Sequence, residues 1–140
     1  IFTYRNKIDF EIKLTNRRES IIPELISPSI FAKVAANLDL IETHEFDIFE
    51  LDSLLKNKTL ISMATEIFSR WDFFEGFISQ DKFTNFIKEI TIGYNRNIAY
   101  HNDLHAGDVF QTLNYILVTS DAKKVYNKNI KFKKKFEIFY

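Results

Sequence analysis

Thr59-Leu60-Ile61-Ser62-Met63-Ala64-Thr65-Glu66-Ile67-Phe68-Ser69-Arg70-Trp71 decides the fold class. Leu60, Met63, Ala64, Ile67, Phe68 and Trp71 recur at i, i+3, i+4, i+7, i+8 and i+11, the period of one helix face. Thr59 is placed to cap this helix, its hydroxyl accepting from an otherwise orphaned amide. Upstream, Ile48, Phe49, Leu51, Leu54 and Leu55 follow the same period, and Lys56–Asn57–Lys58 interrupts it. Downstream, Ser79 is the next expected N-cap, with Asp81 near the positive end of the helix dipole. Phe83, Phe86, Ile87, Ile90 and Tyr94 then recur at helical spacing until Gly93 and the Asn95–Arg96–Asn97 turn stop them. A fourth helix is predicted from about Leu104 to Leu117, with Val109, Thr112, Leu113, Ile116 and Leu117 facing inward. Every strong element is helical, so the class is all-α. Met63, Ile67, Phe83, Phe86, Ile87, Leu113 and Leu117 are expected to share one core.

The first part of the chain is less regular. Ile8, Phe10 and Ile12 alternate as in a short strand or extended arm, which Asn16 to Ser20 break, and Pro23 and Pro28 punctuate a further loop. Ser29 is predicted to cap a short helix carrying Phe31, Val34, Ala35 and Leu38. The chain begins at Ile1 and not at Met, so an excised segment is expected, and upstream targeting signals lie beyond this reading.

With 140 residues, 46% of them hydrophobic and 27% charged, the chain can bury one core and is not a disordered polymer. The absence of cysteine excludes disulfides and thiolate chemistry, and three glycines argue against a glycine-rich phosphate loop. Net charge is zero, but unevenly distributed. Residues 39–92 are acidic, and residues 121–140 hold seven lysines against Asp121 and Glu137. A solvated lysine tail is the plainer reading of that basic end, and no nucleic-acid partner is expected. Lysine outnumbers arginine 14 to 5, whereas phosphate and base recognition favours the arginine fork. No apolar run approaches the ~18 residues that span a bilayer. A cytoplasmic location is expected, with no membrane association encoded in this segment.

Reactive side chains concentrate in Tyr100-His101-Asn102-Asp103-Leu104-His105-Ala106-Gly107-Asp108-Val109. His101 and His105 share a face if the helix is continuous, with Asp108 about one turn further on. Spacing alone does not make a metal site of this pair, because two imidazoles need further converging donors. On spacing alone, two polar histidines near a helix start, one of them capping, is the plainer reading.

The flanks carry more. Tyr-His-Asn-x-x-His-Ala-x-Asp-Val, continued by Phe110–Gln111–Thr112, resembles the signature of the class I 3′,5′-cyclic nucleotide phosphodiesterases. Phe46-Asp47-Ile48-Phe49-Glu50-Leu51 resembles the F-D-[IV]-F segment of that family, and Leu60 stands where it usually has Pro-Leu. Tyr94, Asn97, Ala99 and Tyr100 follow its order, Ala99 replacing a frequent Pro. The resemblance divides the chain into an upstream arm or linker (1–38), a partial catalytic domain (39–126) and a lysine-rich tail or insertion (127–140). It implies the N-terminal helical subdomain of an HD-type helical catalytic domain, about the first third of one.

The resemblance also implies roles. His101 matches the general acid that protonates the departing O3′, a task suited to imidazole, which exchanges its proton near neutral pH. His105 matches the first ligand of a tightly held Zn²⁺ in a binuclear site with Mg²⁺. Tyr100 and Asn102 match pocket-wall positions that bind substrate, and Asp108 is a candidate to orient a metal-bound imidazole. The family's remaining His-Asp pair, further Asp ligand and purine-clamping Gln have no counterpart, since beyond Val109 there is no histidine and only Asp121 and Glu137 are acidic. His44 is read as a surface or packing residue, and Trp71 with Phe73, Phe74 and Phe77 as core packing and not a base-stacking platform. The leading expectation is thus a phosphodiesterase segment acting on cAMP or cGMP. The alternative is a non-catalytic helical interaction or regulatory fragment without a complete metal site. Oligomeric state and cAMP-versus-cGMP preference are not encoded in these residues.

Overall fold

The computed structural model describes residues 27–126. The arm expected around Ile8–Ile12, the turns through Pro23 and the lysine-rich stretch from Asn127 lie outside the described residues. Five α-helices succeed one another: α1 Pro28–Asp39, α2 Ile48–Leu55, α3 Thr59–Arg70, α4 Gln80–Gly93 and α5 Asp103–Thr119, with a 3-10 turn over Lys56–Lys58 joining α2 to α3. Residues 122–126 begin a further helical turn. Among the described residues there is no strand, so the all-α class holds. No helix among them is long and apolar enough to cross a membrane.

α3 is the central element. It packs against both α4 and α5, and nine of its residues, from Thr59 to Ser69, are buried. Met63, Ile67 and the adjoining Trp71 join Val34, Leu38, Ile41, Ile48, Leu51 and Leu55 in one core. The 3.6-residue period read from Leu60 to Trp71 is therefore the face that organises the fold. The aromatic residues after it also pack inward. Trp71 is buried, Phe68 stacks on Phe83 with centroids 4.0 Å apart, and Phe74 meets Phe83 edge-on at 5.4 Å. Phe77 departs from this and lies exposed.

Helix ends depart from expectation in instructive ways. Ser27, not Ser29, caps α1, its hydroxyl accepting from the Ile30 amide, and Pro28 opens the helix. Proline lacks the N–H that would be unsatisfied at the first helical position, so it starts a helix as readily as it ends one. Thr59 is not the cap of α3. It is fully buried inside the first turn, and its hydroxyl has two acceptors for its one proton, Asp52 Oδ1 at 2.6 Å and the Lys56 carbonyl at 2.7 Å. The Lys56–Lys58 turn keeps the chain wound, so no extended cap residue precedes α3. Ser79 does sit at the cap position of α4, although its hydroxyl makes no capping bond.

The largest correction concerns α5. Val109, Leu113 and Ile116, expected to face inward, are each at least half exposed, and Thr112 is exposed too. The buried positions are Asp103, Gly107, Gln111 and Asn114. Polar anchors decide this face. Gln111 Nε2 donates to the carbonyls of Ile41 and Thr43 at 3.1 and 2.9 Å, and Asn114 Oδ1 accepts from the Trp71 indole at 2.8 Å. Loop carbonyls and an indole N–H buried there need partners, and the amide side chains of Gln111 and Asn114 supply them. On α4, Phe86 is exposed and Ile87 only half-buried. Of the residues expected to share one core, Met63 and Ile67 do, Leu117 packs at its edge, and Phe83 is buried against Phe68 outside that cluster.

Gly107 is where α5 approaches most closely. A Cβ there would lie 3.0 Å from Ile48 Cδ1 and 3.2 Å from Met63 Sδ. Ile48 Cδ1 is a terminal methyl, and Met63 Sδ lies one bond short of the end of a flexible side chain. Gly107→Ala is therefore expected to be near neutral, its gain of about 1 kcal/mol in helix propensity offsetting mild crowding. Gly107→Leu has no such room and is expected to cost roughly 1–3 kcal/mol. Urea unfolding of both variants checks the contrast; equal midpoints would show that α5 does not pack through this glycine.

Candidate active site at the start of α5

Asn102 builds the site. Its side-chain Oδ1 accepts from the amides of Leu104 and His105 at 3.0 and 3.1 Å, capping α5, while Nδ2 donates to the Ile98 carbonyl at 2.9 Å. Both ends of this amide are thus engaged with backbone. The cap sets His101 in the loop just before the helix and His105 in its first turn. His101 is exposed and His105 half-buried. Their ring centroids are 6.2 Å apart, edge to face. Tyr100 touches both, at 4.1 Å from His105 and 5.0 Å from His101.

The structure places Tyr100, His101, Asn102 and His105 close together. His101 precedes α5, however, and so shares no continuous helix face with His105, and Asn102, not a histidine, caps the helix. Asp108 is exposed further along α5, and among the described residues no hydrogen bond joins it to His105. His44 is exposed and distant in sequence from this cluster. An apolar cleft of about 100 Å³ between α3 and α5, bordered by Trp71, Phe73, Phe110 and Leu117, lies further along α5 than the histidines.

Sequence reasoning assigns Arg96 only to the turn that ends α4 and gives neither Asp103 nor Asp52 a role at the site. Arg96 bridges Asp103, whose side chain is 1% exposed, and Asp52 of α2. A signal was present: in a chain where lysine outnumbers arginine 14 to 5, an arginine in the loop before the motif marks a place that needs a fork.

A binuclear metal centre needs several converging imidazoles and carboxylates. Among the described residues no three His, Cys, Asp or Glu side chains are placed to hold an ion. The exposed His101 and half-buried His105, both in contact with Tyr100, do not by themselves make such a donor set.

Comparison with known proteins gives a consistent class. The chain is 40% identical over 80 residues to the 3′,5′-cyclic-AMP phosphodiesterase 4 of Dictyostelium discoideum, covering 56% of this chain and 8% of that protein. It is 32% identical over 79 residues to the dual specificity calcium/calmodulin-dependent 3′,5′-cyclic nucleotide phosphodiesterase 1C of Mus musculus, covering 55% of this chain and 11% of that protein. It is 26% identical over 115 residues to the high affinity cAMP-specific and IBMX-insensitive 3′,5′-cyclic phosphodiesterase 8A of Homo sapiens, covering 79% of this chain and 14% of that protein. No family model matches the chain. No solved structure matches it. Over 55% to 79% of its length the chain is thus similar to several cyclic nucleotide phosphodiesterases, consistent with a partial catalytic domain of that kind. It spans between 8% and 14% of the length of these relatives.

Proposed function

We propose that this chain supplies the general-acid segment of a 3′,5′-cyclic nucleotide phosphodiesterase acting on cAMP, cGMP or both in second-messenger signalling. The observation that carries this reading is the exposed imidazole of His101 held beside His105 at the capped start of α5. In the proposed step a water oxygen bonds to phosphorus and the P–O3′ bond breaks. O3′ takes its proton from the His101 imidazolium, giving the 5′-monophosphate. The attacking water keeps one proton on the product phosphate and releases the other to solvent, from which the imidazole is reprotonated. Protonation matters because a ribose alkoxide is a poor leaving group, and positioned proton transfer supplies about 10²–10⁴ in rate. Tyr100 is proposed to form part of the substrate wall, and Asn102 to hold the loop that presents it. His105 is proposed as one metal donor, for Zn²⁺ beside Mg²⁺, with Asp108 as its orienting carboxylate. The described residues do not complete such a donor set, so no step is derived through a metal.

The test is a chimera in which residues 39–126 replace the corresponding segment of the Dictyostelium relative. Hydrolysis of cAMP by the chimera supports the reading, and a folded chimera with background activity overturns it. The 140-residue chain by itself is expected to hydrolyse cAMP and cGMP no faster than background with Zn²⁺ and Mg²⁺ present. Turnover by the purified chain would show that the donor set has been misread.

A further inference from the structure

The loop between α4 and α5 is fastened through one cation. Arg96 Nε donates to Asp103 Oδ1 at 2.9 Å, and Nη2 donates to Asp103 Oδ2. On the other side, Nη1 and Nη2 donate to Asp52 Oδ2 and Oδ1 at 3.1 and 3.0 Å, and Nη2 reaches the Lys56 carbonyl at 3.2 Å. The Thr59 hydroxyl completes the array on Asp52. Asp103 is the first residue of α5, two positions from each histidine. Burial lowers the pKa of Arg96, but its hydrogen bonds to Asp103 and Asp52 outweigh that and raise it above the usual value, so the cation persists.

Two fastenings therefore bracket the site. Arg96 ties the beginning of the loop to α2 and α5, and Asn102 ties its end to Ile98 and to the helix start. Between them lie Tyr100 and His101, whose rings meet His105. We propose that Arg96 is a positioning residue for the histidine pair: by bridging Asp103 and Asp52 it holds the loop so that Tyr100 packs on His105 and His101 stands beside both. A lysine supplies the charge but not the fork, so it pairs with one carboxylate and releases the other. The catalytic consequence of this placement rests on the function proposed above, whereas the placement itself is measurable without substrate.

The experiment uses the full chain and solution NMR at one fixed pH. In the unsubstituted chain, Tyr100, with its ring centroid 4.1 Å from that of His105, is expected to shift the His105 ring protons upfield and to give nuclear Overhauser contacts to them, with Tyr100→Leu defining zero shift. Arg96→Lys is expected to keep the far-ultraviolet circular dichroism of α-helix, lose at least half of the upfield shift and lose the Tyr100–His105 contacts. Retention of both signals would overturn the proposal. Should Arg96→Lys lose helix content, Asp52→Asn decides, because it leaves Asp103 paired with Arg96. It is expected to keep helix content and lose part of the shift. An unchanged shift, or loss of helix there as well, would make the network part of the general fold and not a positioning device. An inactive chimera would overturn the phosphodiesterase reading while leaving these signals untouched, so the two failures are distinguishable.

Discussion

Leu51→Ala is expected to destabilise the chain by roughly 2–5 kcal/mol, because it removes buried methyl groups and leaves a cavity that rigid neighbours cannot fill. Leu51 is fully buried in the core it shares with Leu38, Met63 and Ile67, to which α1, α2 and α3 all contribute. Phe86→Ser, a far more drastic change on paper, is expected to stay within about 0.5 kcal/mol, since Phe86 is 60% exposed. Sequence period alone puts both residues on the inner face of a helix. Urea midpoints of the two variants separate the readings; equal losses would mean that α4 packs by the face containing Phe86.

His101→Ala in the chimera is expected to lower kcat for cAMP by roughly 10²–10⁴-fold, the usual worth of a positioned proton donor. The leaving group sharpens the assignment. A phosphodiester whose leaving oxygen departs as a stable anion, such as a nitrophenyl ester that releases nitrophenolate, needs little protonation. Its hydrolysis is expected to be far less sensitive to the substitution. Equal losses on both substrates would assign His101 a role other than proton donation. His101 is exposed and lies outside the helix, so the variant is expected to keep the helix content of the chimera.

Much of the fold was legible in the sequence because α3 repeats its apolar residues strictly at helical spacing. Met63, Ile67 and Trp71 are buried as that spacing requires. α5 was legible as a helix but not as a face. Val109, Phe110, Leu113, Ile116, Leu117 and Val118 surround much of its circumference, so the period does not select one side. The side is selected by Gln111, Asn114 and Gly107. The two amides meet groups on a distant loop and on Trp71, and the glycine admits Ile48 and Met63. The partners of the two amides are 43 to 70 residues away along the chain, and local patterning carries no record of them.

The site divides in the same manner. His101, Asn102 and His105 occupy a short contiguous motif, and the helix cap that groups them is a local structure. Arg96 with Asp103 is also local in sequence, yet its significance appears only once Asp52, 44 residues upstream, closes the bridge from α2. Asp108 shows the converse: spacing puts it one turn from His105, while the described structure leaves it exposed without a bond to that imidazole.

The most direct measurement is kcat/KM for cAMP of the chimera carrying residues 39–126, compared with its parent enzyme and with the same chimera bearing His101→Ala. A functional segment predicts turnover well above the variant's, by roughly the 10²–10⁴-fold attributed to the acid. A chimera with the helix content of its parent, yet no faster on cAMP than its His101→Ala variant, would contradict the claim that this chain carries the general acid of a cyclic nucleotide phosphodiesterase.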